Sequence, residues 1–267
     1  MPDLPLVPDR VQVRPRNWWA RAAAVGVAAG LLSGLFGVGG GIVMVPLLVG
    51  FFALDQRRAS ATSLLAIVPI AAASATGYAL SGNVDPRAGL VLLVGSVIGG
   101  QVGSWLLPRT PIRRLQLGFG VLSLVTAVDL LLDQGGRSLG VAGSDWELVL
   151  LALVGVAAGV LAGLLGVGGG IIMVPGLVLL AGDDASVARG TSLMVIVLTA
   201  LSATVTNLRN GLVEVPTAMV AGLVGIPAGL LGAAVGQWLP DRIALALFAG
   251  LLGWSGIRMI RAAGPRD

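Results

Sequence analysis

The residues with chemistry to offer lie in two nearly identical glycine runs. One reads Gly34-Leu35-Phe36-Gly37-Val38-Gly39-Gly40-Gly41-Ile42-Val43-Met44-Val45-Pro46. The other reads Gly163-Leu164-Leu165-Gly166-Val167-Gly168-Gly169-Gly170-Ile171-Ile172-Met173-Val174-Pro175. Each sits inside a long apolar stretch. Glycine costs a helix about 1 kcal/mol relative to alanine, and the following proline removes one more backbone donor. The pattern therefore predicts a broken helix at both places. A helix that restarts after a break carries unpaired N–H groups and the positive end of its dipole, and both favour an anion. Successive glycine amides can also curl into an anion-holding concavity. In a bilayer such a break is tolerated only where it is buried in protein or lines a cavity. Gly37, Gly39, Gly40 and Gly41, with Gly166, Gly168, Gly169 and Gly170, are the candidate substrate-binding residues.

Hydroxyls stand close behind. Thr62, Ser63, Thr191 and Ser192 fall near the starts of the next apolar segments. They can donate to an oxyanion without placing a full charge in lipid; helix capping is the competing reading. Gln101 and Asn207 are polar residues inside apolar segments and so are candidates for substrate contact. Gln101 reads equally well as a packing contact, and Asn207, matched by Tyr78, is read as facing a cavity. Arg189, ahead of Gly190-Thr191-Ser192, reads as a loop arginine, with anion attraction as the alternative. Asp85 and Glu214 are matched loop acids expected to cap helices or to pair with Arg87 and Arg209. Gly95, Gly99 and Gly103, and Gly225, Gly229, Gly232 and Gly236, are spaced for close helix packing.

What is missing narrows the chemistry. The chain has no Cys and no His, which removes disulfides, thiolate sites and imidazole acid–base work. No close pair of carboxylates lies within an apolar segment. No enzyme, catalytic residue, metal or cofactor is expected. The glycine runs lack the third glycine of a dinucleotide fingerprint and the lysine of a phosphate-binding loop. The formal charge is +4 with every basic residue an arginine. These arginines sit in short loops and at the termini, where they set membrane topology. No nucleic-acid partner is expected.

The elements that must position these residues are membrane helices. Hydrophobic residues make up 56% of the 267 and charged residues 11%, with mean hydropathy +0.94, far too apolar for a soluble domain. Apolar segments cover about 20–36, 42–52, 61–80, 88–107 and 115–132, then 146–165, 171–180, 191–208, 215–239 and 243–257. The segment after each glycine run is short: 11 residues make about 17 Å of helix, less than a bilayer's thickness. The second half repeats the first at an offset of 129 residues. Asp55 aligns with Asp184, Thr62-Ser63-Leu64 with Thr191-Ser192-Leu193, and Gly82, Val84 and Asp85 with Gly211, Val213 and Glu214. The expected organisation is a disordered cytoplasmic tail (1–17), membrane repeat 1 (18–132), a linker (133–145), membrane repeat 2 (146–260) and a cytoplasmic tail (261–267).

Placing the arginine-rich loops in the cytoplasm leaves an odd number of crossings per half, whether each glycine break is a re-entrant tip or both legs cross. The halves are then inverted relative to each other. The fold class is thus an all-α polytopic membrane protein of two inverted-topology repeats, each with a Gly-broken helix pair plus three spanning helices. Broken helices at matching positions of two repeats point to a transporter site.

The Gly-Val-Gly-Gly-Gly-aliphatic-x-x-Val-Pro motif of both halves resembles the TauE/SafE sulfite exporter family. So do the Ala-x-x-Thr-Ser-Leu stretches at 59–64 and 188–193, and the Gly-x-Val-Asp element at 82–85. The resemblance spans about residues 22–260. It implies export or uptake of a small sulfur-containing anion, such as sulfite or an organosulfonate, across the bacterial inner membrane. The expectation is a multi-pass secondary transporter of small anions working by alternating access, with both termini cytoplasmic. Its partners are then the anion and the lipid bilayer; a coupling proton or ion and a homo-oligomer are left open. The alternative is a non-transporting membrane subunit whose glycines only pack helices.

Overall fold

The computed structural model describes residues 17–132 and 145–264. The first tail, the linker and the end of the last tail lie outside these residues. Ten α-helices follow in order: α1 (Trp18–Phe36), α2 (Gly41–Phe52), α3 (Gln56–Leu80), α4 (Pro86–Leu106), α5 (Ile112–Leu132), α6 (Asp145–Leu165), α7 (Gly170–Gly176), α8 (Ala185–Arg209), α9 (Val215–Trp238) and α10 (Asp241–Ala262). Six of them (α1, α3, α4, α6, α8 and α9) are long and apolar enough to cross a membrane. With Leu80, Trp238, Trp146, Val94 and many other large apolar side chains exposed around the bundle, the chain is an all-α polytopic membrane protein.

Both glycine runs break the helix as expected. α1 ends at Phe36, and Gly37, Gly39 and Gly40 all take positive φ before α2 begins. Gly166, Gly168 and Gly169 do the same between α6 and α7. A side chain at these positions would be strained, since only glycine adopts this region freely. The prolines do not make the break. Pro46 and Pro175 lie inside α2 and α7. Pro175 cannot donate to the carbonyl four residues back, and the helix widens into a π-turn at Leu177–Ala181 just beyond it.

The chain turns back at each break. The Arg21 guanidinium, near the start of α1, donates to the Phe51 carbonyl at the end of α2. Asp183, after the π-turn, feels the charge of Glu147 at the start of α6. α1 with α2, and α6 with α7, are therefore hairpins whose tips are the glycines. At 12 residues α2 is about 18 Å long, too short to cross alone.

Small residues let the long helices touch along their backbones. Gly95, Gly99 and Gly103 of α4 lie against the carbonyls of Ala152, Val156 and Val160 of α6. Gly225, Gly229, Gly232 and Gly236 line the α9 face that meets α1 and α3, where Gly232 and Gly236 lie against the Leu31 and Leu35 carbonyls of α1. This is the packing their spacing predicted, and it places α1 against the second half and α6 against the first. α3 sits centrally among α8, α9 and α1, and α4 covers α8. α3 ends where α8 begins, with Gly190 against Tyr78 and Asn83. α8 ends where α3 begins, since Glu214 follows α8 and its N–H reaches Thr62. α10 backs the first hairpin: Phe248 stacks on Phe36 at 4.9 Å, and Ser255 Oγ donates to the Ile42 carbonyl at 2.9 Å.

Candidate functional site

The two glycine tips meet inside the bundle. A methyl on Gly41 would overlap the Gly166 carbonyl oxygen, and one on Gly170 would lie 2.8 Å from Gly37 O and 2.6 Å from Val38 Cα. Ile67 of α3 and Ile196 of α8 seal the contact, both against Gly39, with Ile196 also against Gly168. All these residues are buried.

The backbone donors at the tips are unmet. Gly37 N–H closes on Ser33 O, and the next amide with an acceptor is Val43, which reaches Gly40 O. The amides of Val38, Gly39, Gly40, Gly41 and Ile42 have none among the described residues. In the second tip Gly166 N–H closes on Ala162 O, and Ile172 reaches Gly169 O. The amides of Val167, Gly168, Gly169, Gly170 and Ile171 are left over. Buried donors without partners are rare, because each costs free energy comparable to a lost hydrogen bond. Two facing sets at helix starts make an electropositive lining with no fixed charge. In this conformation the tips close on each other. A void beside Val167 and Gly169 holds about 10 Å³, room for about one water.

The four hydroxyl residues divide into pairs. The helices begin at Gln56 and Ala185, about one and a half turns earlier than the apolar pattern suggested, with Asp55 as the cap of α3: its carboxylate accepts from Arg58 N–H. Thr62 and Thr191 therefore do not cap their own helices. Thr62 Oγ1 accepts from Glu214 N–H at 2.9 Å, and Thr191 Oγ1 accepts from Asp85 N–H at 2.8 Å. Each ties down the loop that starts α9 or α4 in the other half. Ser63 Oγ donates to Gly166 O at 2.7 Å, joining α3 to the second tip. Ser192, its counterpart, is 0% exposed and its hydroxyl has no partner among the described residues.

Arg189 is a difference from the sequence reading. It lies in α8 rather than a loop and is 3% exposed. Its Cα and Cβ would meet a methyl on Gly37 at 2.6 Å, one helical turn from Ser192, and its guanidinium donates to Gly236 O at 3.0 Å. A lone arginine before a Gly-Thr-Ser stretch gave no signal of burial. Ser60, at the matching place in α3, donates to Leu165 O.

Asn207 and Gln101 are not at the tips. Asn207 is 0% exposed with both amide atoms unpartnered, but lies eleven residues past Ile196, about 16 Å along α8. Gln101 faces outward; its amide nitrogen donates to the oxygens of Ser202, and its carbonyl accepts from Thr206 Oγ1 at 2.6 Å. The structure uses it to join α4 to α8. Asp85 caps α4 by accepting from Arg87 and Ala88 N–H, whereas Glu214 lies 3.9 Å from Arg58.

The two faces differ in their charge. Arg21, Arg57, Arg58 and Arg258 gather around the ends of α2 and α4, where Arg57 donates to Thr110 O. Asp85, Glu147, Asp183 and Asp184 gather at the start of α8. There burial first, then the charges of Asp85, Asp184 and Glu147, push the Asp183 carboxyl up to about 6. No cluster of metal-ligating side chains occurs among the described residues.

The model of the sulfite exporter TauE/SafE family matches residues 5–130 and 151–267. The chain is 28% identical over 259 residues to the probable membrane transporter protein YunE of Bacillus subtilis (strain 168), covering 88% of this chain and 95% of that one. It is 26% identical to the probable membrane transporter protein MJ0441 of Methanocaldococcus jannaschii over 88% of this chain and 93% of that one. A probable membrane transporter protein of Xylella fastidiosa (strain 9a5c) is 29% identical over 78% of this chain and 79% of its own length. No solved structure matches.

Proposed function

The chain belongs to the TauE/SafE sulfite exporter family, a family of membrane transporters and not of enzymes; from this premise we propose that it is a secondary transporter of a small anion. The substrate is sulfite, an organosulfonate or a related sulfur oxyanion, carried across the bacterial inner membrane by alternating access. The observation that carries the reading is the pair of facing, buried glycine tips with ten amides that have no partner among the described residues. When the tips part, Gly37, Gly39, Gly40 and Gly41 offer donors from one side, and Gly166, Gly168, Gly169 and Gly170 from the other. Ser192 adds a free hydroxyl, Ser63 one that first releases Gly166 O, and Arg189 a positive charge beside Gly37. Asn207 forms a second polar station on the route toward the arginine-rich face. Thr62 and Thr191 hold the loops that frame the site.

The halves act as inverted repeats. The support is the head-to-tail placing of α3 and α8 and the matched threonine ties, the pattern expected of halves related by a two-fold axis. One hairpin then faces each side of the membrane, as alternating access requires. The arginine-rich face is cytoplasmic by the positive-inside rule, as are both termini.

The test is flux in liposomes carrying this protein alone, across sulfite, sulfate, sulfonates and carboxylates, with and without a proton gradient. Saturable movement of a sulfur oxyanion is expected, and it is lost in Gly40→Val and Gly169→Val proteins that still reach the membrane. If no anion moves, the reading as a non-transporting subunit replaces this one.

A further inference from the structure

A second polar site lies away from the tips. A groove of about 500 Å³ opens where the end of α2, the starts of α3 and α5 and the end of α10 converge, on the arginine-rich face. That volume is typical of small-molecule pockets. Gln56 lines it at 1% exposure, and neither its amide nitrogen nor its amide oxygen has a partner. Burying an amide unbonded costs about 1–3 kcal/mol, so nothing in the fold itself accounts for a glutamine here. Gln116, 5% exposed, also lines the groove and makes no hydrogen bond among the described residues. Gln56 follows the helix cap and Gln116 lies in the second turn of α5. Neither position demands a polar side chain.

The groove is lined by both charges. The positive end of the α5 dipole and the exposed Arg113 supply one; the Asp55 carboxylate, which caps α3, and the negative end of α10 at Ala262, Ala263 and Gly264 supply the other. A simple anion would be repelled by Asp55 and a simple cation by Arg113. A molecule carrying both charges meets a complementary group at each end, while the two glutamines supply the neutral donors and acceptors between. The rim is apolar, with Val49, Leu54 and Ile112 in the wall.

We propose that this groove binds a zwitterion in which a phosphate-type oxyanion is joined to an ammonium arm. The oxyanion lies on Arg113 and the start of α5, the ammonium on Asp55 and the α10 carbonyls. The same chemistry occurs in a phosphatidylethanolamine headgroup and in free phosphoethanolamine, and the site's place at the helix ends suits either source. The site does not depend on the transport reading.

The experiment uses the full chain in nanodiscs. Native mass spectrometry compares retention of phosphatidylethanolamine with phosphatidylglycerol of the same acyl chains, which lacks the ammonium. In nanodiscs free of phosphatidylethanolamine, calorimetry then measures binding of phosphoethanolamine. At least tenfold preference for the ethanolamine lipid identifies the lipid as the source; saturable binding of phosphoethanolamine identifies the free molecule. In either case Gln56→Leu and, separately, Gln116→Leu lower binding about tenfold, and Arg113→Gln abolishes the preference for the phosphate-bearing probe over ethanolamine. Two variants guard against one failing to fold, and sulfite flux, where present in the parent, is unchanged in both. Equal retention of the two lipids with no binding of phosphoethanolamine overturns the proposal. Binding by both glutamine variants as tight as the parent's does so too.

Discussion

Ser63 and Ser192 occupy the same place in the two halves, and the same substitution at each should move stability in opposite directions. Ser63 Oγ, fully buried, donates to Gly166 O at 2.7 Å, with Ser60 O as a second acceptor of the same proton at 2.9 Å. Ser63→Ala removes a made bond and leaves the Gly166 carbonyl unmet inside the protein, a loss of about 1–3 kcal/mol. Ser192 Oγ is as deeply buried and bonds to nothing. Ser192→Ala removes a desolvated group that has no partner, a gain of about 1 kcal/mol. For a chain of this size each kcal/mol moves the melting temperature by about 2–4 °C. Ser63→Ala should therefore melt several degrees below the parent and Ser192→Ala a few degrees above it, in the same detergent by the same fluorescence scan. Transport separates them again. If Ser192 donates to the anion, its loss removes a hydrogen bond to a charged group, about 1.5–3 kcal/mol, and KM for sulfite flux rises at least tenfold. Equal destabilisation by both substitutions would refute the claim that Ser192 is held without a partner. A stabilised Ser192→Ala with unchanged KM would remove this hydroxyl from the anion's site.

Three other outcomes follow from the geometry. Gly41→Ala, at ordinary φ, places a methyl on the Gly166 carbonyl oxygen and should part the tips, so that a cysteine introduced nearby becomes reactive to a soluble maleimide; unchanged labelling counts against the tip contact. Thr191→Val deletes the acceptor of Asp85 N–H and should cost about 1–2 kcal/mol, seen as a lower melting temperature and faster proteolysis at the α3–α4 loop. Burial holds the Asp183 carboxyl up at about 6, above its ordinary 3.8. A carboxyl raised in the folded state binds its proton more tightly there than when unfolded. Stability therefore rises as pH falls from above 6 toward 4, is fully gained below about 3.8, and the penalty is complete above 6. Asp183→Asn should flatten that part of the pH–melting curve, and an unchanged slope would show that Asp183 is not its source.

Much of the architecture was legible because it is written locally. An apolar chain with arginines only at segment ends has no soluble solution, so α1, α3, α4, α6, α8 and α9 could be placed from composition. Glycines in consecutive positions weaken a helix wherever they fall, so the breaks at Gly37–Gly40 and Gly166–Gly169 needed no tertiary information. The four-residue spacing of Gly95, Gly99 and Gly103 likewise foretold a backbone seam. The proline reading was less apt: Pro46 and Pro175 are carried inside short helices, and the Ile42 carbonyl that Pro46 cannot meet accepts from Ser255 Oγ instead.

The residues of the site were recognisable by type, yet their partners were not, because each partner lies in the other half of the chain. Thr62 could have capped its own helix or faced an anion; only folding brings Glu214 to it, 152 residues away. Gln101 is polar at membrane depth in any reading, and rotation of α4 against α8 alone turns it outward onto Ser202 and Thr206. Arg189 looks like a loop residue until α8 starts early enough to carry it under Gly236.

The sequence by itself determined the membrane class, the family, the duplication and the two points where helices stop, since these depend on local composition and glycine's missing Cβ. Only the tertiary structure decided that the breaks are hairpin tips pressed together, that Ser63 is bonded while Ser192 is not, and that Gln56 is buried at the edge of a groove. Those are relations between segments more than a hundred residues apart, or between helix ends, and they exist only once the glycine seams have brought α1 onto α9 and α4 onto α6.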